Sequence, residues 1–179
     1  MAQHRALDAK LLPEALAALD RLLPESLHLI IGGGAAMVLG YKHPLATQDV
    51  DAFAAKGSSV SNLDAQLKKV AKQLNIEPDW LNTHFVTFTH VLPQDYGTRL
   101  RTVFQGKQLL ASVLGPEDLL VMKCFAARDK DRPHALRLIR EAGDLSIVDR
   151  QLALLIEKRI PGAEQAADYF DDLRDESER

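Results

Sequence analysis

The feature that most constrains the fold is a short apolar run that ends in three consecutive glycines. Residues 27–31 (LHLII) are typical of a buried strand, and Gly32, Gly33 and Gly34 follow, before a helical segment at 35–39. Glycine has no side chain and lets the backbone approach a ligand closely. A helix that begins at such a turn presents unpaired amides and the positive end of its dipole, which favour an anion. The pattern predicts a phosphate site, and an ordinary tight turn is the alternative interpretation.

A pair of acids stands on the next predicted strand, residues 49–53 (DVDAF). Asp49 and Asp51 are two residues apart, so on a strand both carboxylates lie on one face. Two carboxylates about 4 Å apart repel by roughly 4 kcal/mol at a surface-like dielectric, so the pair needs a proton, a basic neighbour or a divalent cation. Magnesium prefers one or two carboxylates with phosphate and water. The turn and the pair therefore predict a magnesium–phosphate site, although a lone pair is usually exposed acid on an edge strand.

The remaining pattern predicts an α+β protein in which helices flank a small mixed β-sheet and the C-terminal half is helical. Further strands are expected at 85–91, 100–104 and 109–113. Beyond Gly115 we expect only helices, which open at Pro116, Pro133 and Ser146 and after Pro161-Gly162. The helix that follows the glycines is expected to end at Gly40. We therefore expect an α/β core at 1–114 and a helical region at 115–179, which can pack as one unit.

Composition excludes several classes of protein. At 179 residues the chain can bury about 70% of its surface, so it needs no disulfide or structural metal. Its single cysteine, Cys124, excludes an intrachain disulfide and a multi-cysteine zinc site. A net charge of −3 excludes a globally basic nucleic-acid binder. No apolar run reaches the roughly 18 residues of a membrane span, and no signal peptide is recognisable, so we expect a cytoplasmic protein without a membrane partner.

The stretch from the glycines to the acid pair resembles the core of the polymerase-β-type nucleotidyltransferases. More narrowly, it resembles the small nucleotidyltransferase-like proteins related to type IV abortive-infection toxins. Thr47, Asp49 and Asp51 match that group's T-x-D-x-D motif, whereas Leu45 stands where arginine is common. The resemblance continues with two later segments, residues 80–82 (WLN) and 115–125 (GPEDLLVMKCF).

The resemblance implies a fold, an activity and a set of partners. The fold would be a nucleotidyltransferase core, and the activity a magnesium-dependent transfer of a nucleoside monophosphate from a nucleoside triphosphate (NTP). The acceptor would be a hydroxyl of RNA, tRNA included, or of a protein, and a toxin-like role would add an antitoxin partner. Asp49 and Asp51 would hold the metal, while Thr47 and the glycines would contact the nucleotide.

Lys123 and Asp131 form a second group of candidates. Helical periodicity places Lys123 within the apolar face of its helix, where an ammonium needs an anionic partner unless its stem reaches the helix edge. The resemblance places a functional lysine here, with roles in catalysis and in phosphate contact. Asp131 matches that group's acid after this helix, but it can equally be the N-cap of the next one. His134 replaces a second acid common in the relatives.

A third carboxylate, usual on a later strand of polymerase-type enzymes, is not evident in the sequence. Asp79 and Asp95 are the supporting candidates, and neither has a motif around it. The site can accordingly use one metal or an unorthodox base, or it can have lost catalysis. The alternative function is a catalytically degenerate nucleotide-binding or protein-interaction module of the same fold. A third interpretation is an interaction module without a nucleotide site.

Overall fold

The computed structural model describes residues 4–58, 60 and 63–179, except for the side chain of His84. Its chain forms two compact units. The first comprises Met1–Thr87 and Leu100–Leu114, and the second comprises Phe88–Arg99 and Gly115–Arg179. The first contains a mixed β-sheet with helices and the second is mainly helical, so the predicted α+β class is confirmed.

The sheet of the first unit has five strands in the order β3-β2-β1-β5-β4. Strand β1 is central; it runs antiparallel to β2 and parallel to β5. Strand β3 extends β2 in parallel, and β4 forms an antiparallel hairpin with β5. The strands are β1 (Leu27–Ile31), β2 (Val50–Ala54), β3 (Leu81–Asn82), β4 (Arg101–Gln105) and β5 (Leu109–Val113).

The described part of this unit also contains the α-helices α1 (Leu11–Asp20), α2 (Gly33–Tyr41) and α3 (Asp64–Leu74). Helix α2 is mostly apolar and packs against β2 because it has no polar face to present to water. The prediction that Gly40 ends this helix is wrong, since the helix continues to Tyr41. A side chain at Gly40 would collide with Val113 of β5, so this glycine allows close packing rather than a helix end.

The strand predicted at 85–91 is also wrong, because Thr83–Val91 is a 3₁₀ helix. A strand would place Phe85 and Thr87 on one face, yet Phe85 is buried and Thr87 is exposed. The aromatic and β-branched composition is typical of strands, but β propensity is weak where no neighbouring strand supplies hydrogen bonds. The pairing with β2 ends at Asn82, and local bonds replace it.

The second unit packs its remaining helices around α4, which contacts all three of the others. The helix starts predicted from the prolines and Ser146 are confirmed within one residue. A proline in the first turn costs no hydrogen bond, because that amide has no intrahelical acceptor. The helices are α4 (Pro116–Ala126), α5 (Arg132–Glu141), α6 (Ser146–Glu157) and α7 (Ala163–Ser177). Throughout the described ranges, none of the helices has the length and apolar character that crossing a bilayer requires.

Candidate functional site

Each of the three glycines after β1 leaves space for a particular side chain. A Cβ atom at Gly32 would collide with the ring of Phe85, and one at Gly33 would collide with the carboxylate of Asp51. At Gly34 it would lie 3.2 Å from Oγ1 of Thr47. Gly33 also has a φ of +58°, which disfavours any other residue. The glycine run therefore brings the backbone of the α2 N-terminus against Asp51 and Thr47.

Asp51 lies between two structural elements that fix its position. Its main-chain oxygen accepts a 2.8 Å hydrogen bond from the amide of Gly32, which ties β2 to the glycine turn. Its Oδ1 accepts a 2.9 Å hydrogen bond from Nδ2 of Asn82 on β3, and its Oδ2 faces Gly33. A carboxylate is stabilised at a helix N-terminus by the exposed amides and the dipole. Asp51 is therefore held half-buried at the beginning of α2.

Thr47 is held in place by backbone hydrogen bonds to Leu7, which precedes α1. Its amide and carbonyl exchange hydrogen bonds of 2.9 and 2.7 Å with the buried Leu7. Its Oγ1 donates a 3.1 Å hydrogen bond to the main-chain oxygen of Asp49. This bond fixes the turn that leads into β2, so the match of Thr47 to the T-x-D-x-D motif has a structural reason.

Asp49 stands just before β2 and is exposed, and it lines a cleft of about 950 Å³ within the first unit. A cleft of this size can hold a small molecule or a nucleotide. Asp79 and Asn82 line the same cleft. Its other lining residues come from the loops and helix around it: Gln48, Val60, Leu63, Asp64, Leu67, Lys68, Glu77, Pro78, Leu81 and Thr83.

The donor set of this site fits one magnesium ion. Asp51 supplies a carboxylate on β2 against Gly33, and Asp49, just before β2, supplies a second one at the cleft. Within residues 4–58, 60 and 63–179, no group of three or more His, Cys, Asp or Glu side chains is placed to hold a metal ion. Magnesium is suited to such a sparse set because it keeps water and takes phosphate oxygens from its substrate. Asp79, although it lines the cleft, does not complete a third carboxylate position.

Lys123 and Asp131 form an ion pair within the second unit. Lys123 is buried on α4, and its Nζ donates a 2.7 Å hydrogen bond to Oδ1 of Asp131. Burial alone would raise the pKa of Asp131, but the bonds and charges of Lys123 and Arg128 outweigh it and hold that pKa below its ordinary value. Asp131 occupies the N-cap position of α5, as the alternative interpretation predicted, but its side chain makes no capping hydrogen bond there. The role of Lys123 toward a phosphate stays a prediction.

Two further candidates in the second unit have clear structural partners. Asp95 accepts hydrogen bonds of 2.8 and 2.9 Å from both terminal nitrogens of Arg99, which also binds the buried Asp118. The guanidinium of Arg99 lowers the pKa of Asp95. Cys124 is buried, and burial raises the pKa of its thiol to about 12, so it is a packed core residue and not a nucleophile.

Two side chains of the site were not identified from the sequence. Asn82 lies in the segment WLN that carries part of the resemblance, but nothing in the sequence shows that β3 pairs with β2. Phe85 was assigned to a strand, whereas it packs on Gly32 and contacts Phe53 at a ring-centroid distance of 6.1 Å. The position of Asn82 and Phe85 beside the site depends on the strand order, which the sequence alone does not give.

Residues 10–152 match the model of a protein family described as "Nucleotidyltransferase of unknown function (DUF6036)". The match includes the glycine turn, the acid pair and β3, together with Lys123 and Asp131. No curated protein and no solved structure shows significant similarity to the chain.

Proposed function

Because the chain belongs to this nucleotidyltransferase family, we propose that it transfers a nucleoside monophosphate from an NTP to a hydroxyl group in a magnesium-dependent reaction. One observation carries the proposal: the carboxylate of Asp51 lies against Gly33, at the beginning of α2. Gly33 has no side chain, so nothing occupies the space that the carboxylate takes. A carboxylate and a set of helix N-terminal amides at one place suit a metal-bound triphosphate.

Each residue has a distinct role in this proposal. Asp49 and Asp51 hold the magnesium ion, and the backbone amides at Gly32, Gly33 and Gly34 bind the triphosphate. Thr47 fixes the turn that carries Asp49. A role of Lys123 toward the phosphates stays a prediction from the resemblance, since its ammonium is paired with Asp131. When bound, magnesium supplies Lewis-acid stabilisation of the phosphate charge.

The reaction is an in-line displacement at the α-phosphate. An acceptor hydroxyl forms a bond to the α-phosphorus and loses its proton to solvent or a base, while the bond to the β-phosphate oxygen breaks and pyrophosphate leaves. The protein accelerates this step by orienting the triphosphate on the turn and keeping Asp51 in position. The glycine turn and Asn82 hold that geometry before substrate arrives.

We propose an acceptor hydroxyl on RNA, such as tRNA, or on a protein side chain. A toxin-like role in the cytoplasm, with a cognate antitoxin as partner, follows from the resemblance of the Gly-Gly and T-x-D-x-D motifs. These finer assignments rest on that resemblance and on the donor set of the site.

The experiment is a transfer assay with NTPs labelled at the α- or the γ-phosphate, using total RNA and total protein as acceptors. We expect label from the α-position to be incorporated and label from the γ-position to be released. Chelation by EDTA should abolish incorporation, and added magnesium should restore it, because the carboxylate pair cannot bind the triphosphate by itself. Incorporation that is unaffected by EDTA, or incorporation of γ-label, would contradict the proposal.

A second candidate function is nucleotide binding without transfer. It is favoured by the described part of the chain having no cluster of three metal-binding side chains at the site. A degenerate member would bind an NTP in the presence of magnesium but incorporate no label. Thermal stabilisation by magnesium and an NTP, measured beside the transfer assay, separates the two functions from a module with no nucleotide site, whose melting temperature would not change.

A further inference from the structure

Strand β3 places the side-chain amide of Asn82 beside the carboxylate of Asp51. In the parallel ladder of β2 and β3, Asp51 is paired with Asn82, and Val50 with Leu81. The amide of Val50 donates a 2.6 Å hydrogen bond to the carbonyl of Trp80, which fixes this register. Asn82 is therefore the residue of β3 that lies beside Asp51.

Only one orientation of the Asn82 amide allows a hydrogen bond to the Asp51 carboxylate. An ionised carboxylate can only accept, so the NH₂ group of Asn82 must face Asp51, as the 2.9 Å contact from Nδ2 to Oδ1 indicates. This bond orients the Asp51 carboxylate. It adds no negative charge, whereas an acid at the same position would.

We propose that Asn82 occupies the third carboxylate position of the site, so that the protein holds a single divalent ion and uses Asn82 as a positioning residue for Asp51. The inference rests on the proposed function, in which Asp49 and Asp51 hold that ion. Polymerase-type enzymes, which this sequence resembles, usually carry the third acid on a later strand, and β3 is the later strand that adjoins β2. Two-metal sites hold their ions about 4 Å apart and need more ligands than two carboxylates provide.

The test is the stoichiometry of Mn²⁺ binding to the intact protein without nucleotide, measured by electron paramagnetic resonance. We expect one bound ion in the wild type and a second in Asn82→Asp, because a nearly isosteric acid completes the set. Asn82→Ala should still bind one ion but about tenfold more weakly, since a residue that hydrogen-bonds to a metal ligand typically contributes that much to metal affinity. Circular dichroism of each variant checks that it is folded.

The matched control is Gln48→Glu, which adds the same charge to the same cleft away from the β2–β3 ladder. We expect it to retain one ion. Two ions in the wild type, or equal stoichiometry in Asn82→Asp and Gln48→Glu, would overturn the inference.

Failure of the proposed function has a different signature. If Asp49→Asn with Asp51→Asn binds Mn²⁺ as the wild type does, the acid pair is not the metal site, and both the inference and the metal assignment are wrong. If the wild type binds one ion and Asn82→Asp binds two, but no NTP is consumed, the inference stands and the transfer activity is excluded.

Discussion

Replacing Asp49 and Asp51 together by asparagine should reduce nucleotide transfer by about a thousandfold or more. A metal ion at a phosphoryl group contributes several kcal/mol of transition-state stabilisation, and each 1.4 kcal/mol is a factor of ten in rate. The fold should survive, because asparagine has nearly the same shape and Oδ1 at position 51 can still accept from Asn82. The measurement is incorporation of α-label under saturating NTP and magnesium.

Asp64→Asn with Glu77→Gln is the matched control for this double variant. Both acids line the same cleft, and each already has an ion-pair partner: Lys68 for Asp64 and His4 for Glu77. Exposed ion pairs contribute at most about 1 kcal/mol to stability, so the control should stay folded. Its transfer rate should stay close to that of the wild type, because Asp49 and Asp51 are intact. Equal rates for the wild type and the Asp49/Asp51 variant would refute the metal assignment.

The substitution Gly33→Ala should abolish transfer and destabilise the first unit. A φ of +58° costs a residue with a Cβ about 1–2 kcal/mol, and the added methyl group would also displace the carboxylate of Asp51. We expect the free energy of unfolding to fall by about 2–5 kcal/mol in total, since overpacking adds about 1–3 kcal/mol to the backbone cost. Urea denaturation and the transfer assay measure the two effects.

The variant Gly57→Ala separates the energetic cost of a positive φ from the cost of a collision with Asp51. Gly57 also has a positive φ, of +87°, but no atom lies within 4 Å of the position that its Cβ would take. This variant should lose only the backbone cost, about 1–2 kcal/mol, and should retain transfer activity. If Gly33→Ala and Gly57→Ala lose equal stability and both remain active, the approach of Asp51 to the glycine turn has no functional role.

Local signals in the sequence predicted the strand that leads into the glycine turn and the helices of the second unit. The apolar run 27–31 became β1, and the prolines and Ser146 gave the helix starts of the second unit. These features depend on neighbours along the chain, such as the missing amide of proline. The approach of Asp51 to Gly33 is consistent with the predicted association of the turn with the acid pair.

The features that sequence reasoning missed all depend on contacts between distant segments. Glycine is common at helix ends, so Gly40 was expected to end its helix. The structure shows a different role, because the missing side chain lets Val113 pack against the helix. The segment 85–91 has strand-like residues, but it forms a 3₁₀ helix and pairs with none of the strands in the described part of the sheet. Asn82 became a site residue because β3 adds to β2, a pairing that no local pattern in the sequence encodes.

The central claim is that Asp49 and Asp51 jointly bind one divalent ion beside the glycine turn. Its most direct test is a crystal structure with Mn²⁺ and a non-hydrolysable NTP, in which anomalous scattering locates the metal. We expect one anomalous peak within about 2.2 Å of an oxygen of each carboxylate, with the triphosphate on the amides at the beginning of α2. A peak bound elsewhere, or the two carboxylates directed to opposite sides of β2, would contradict it.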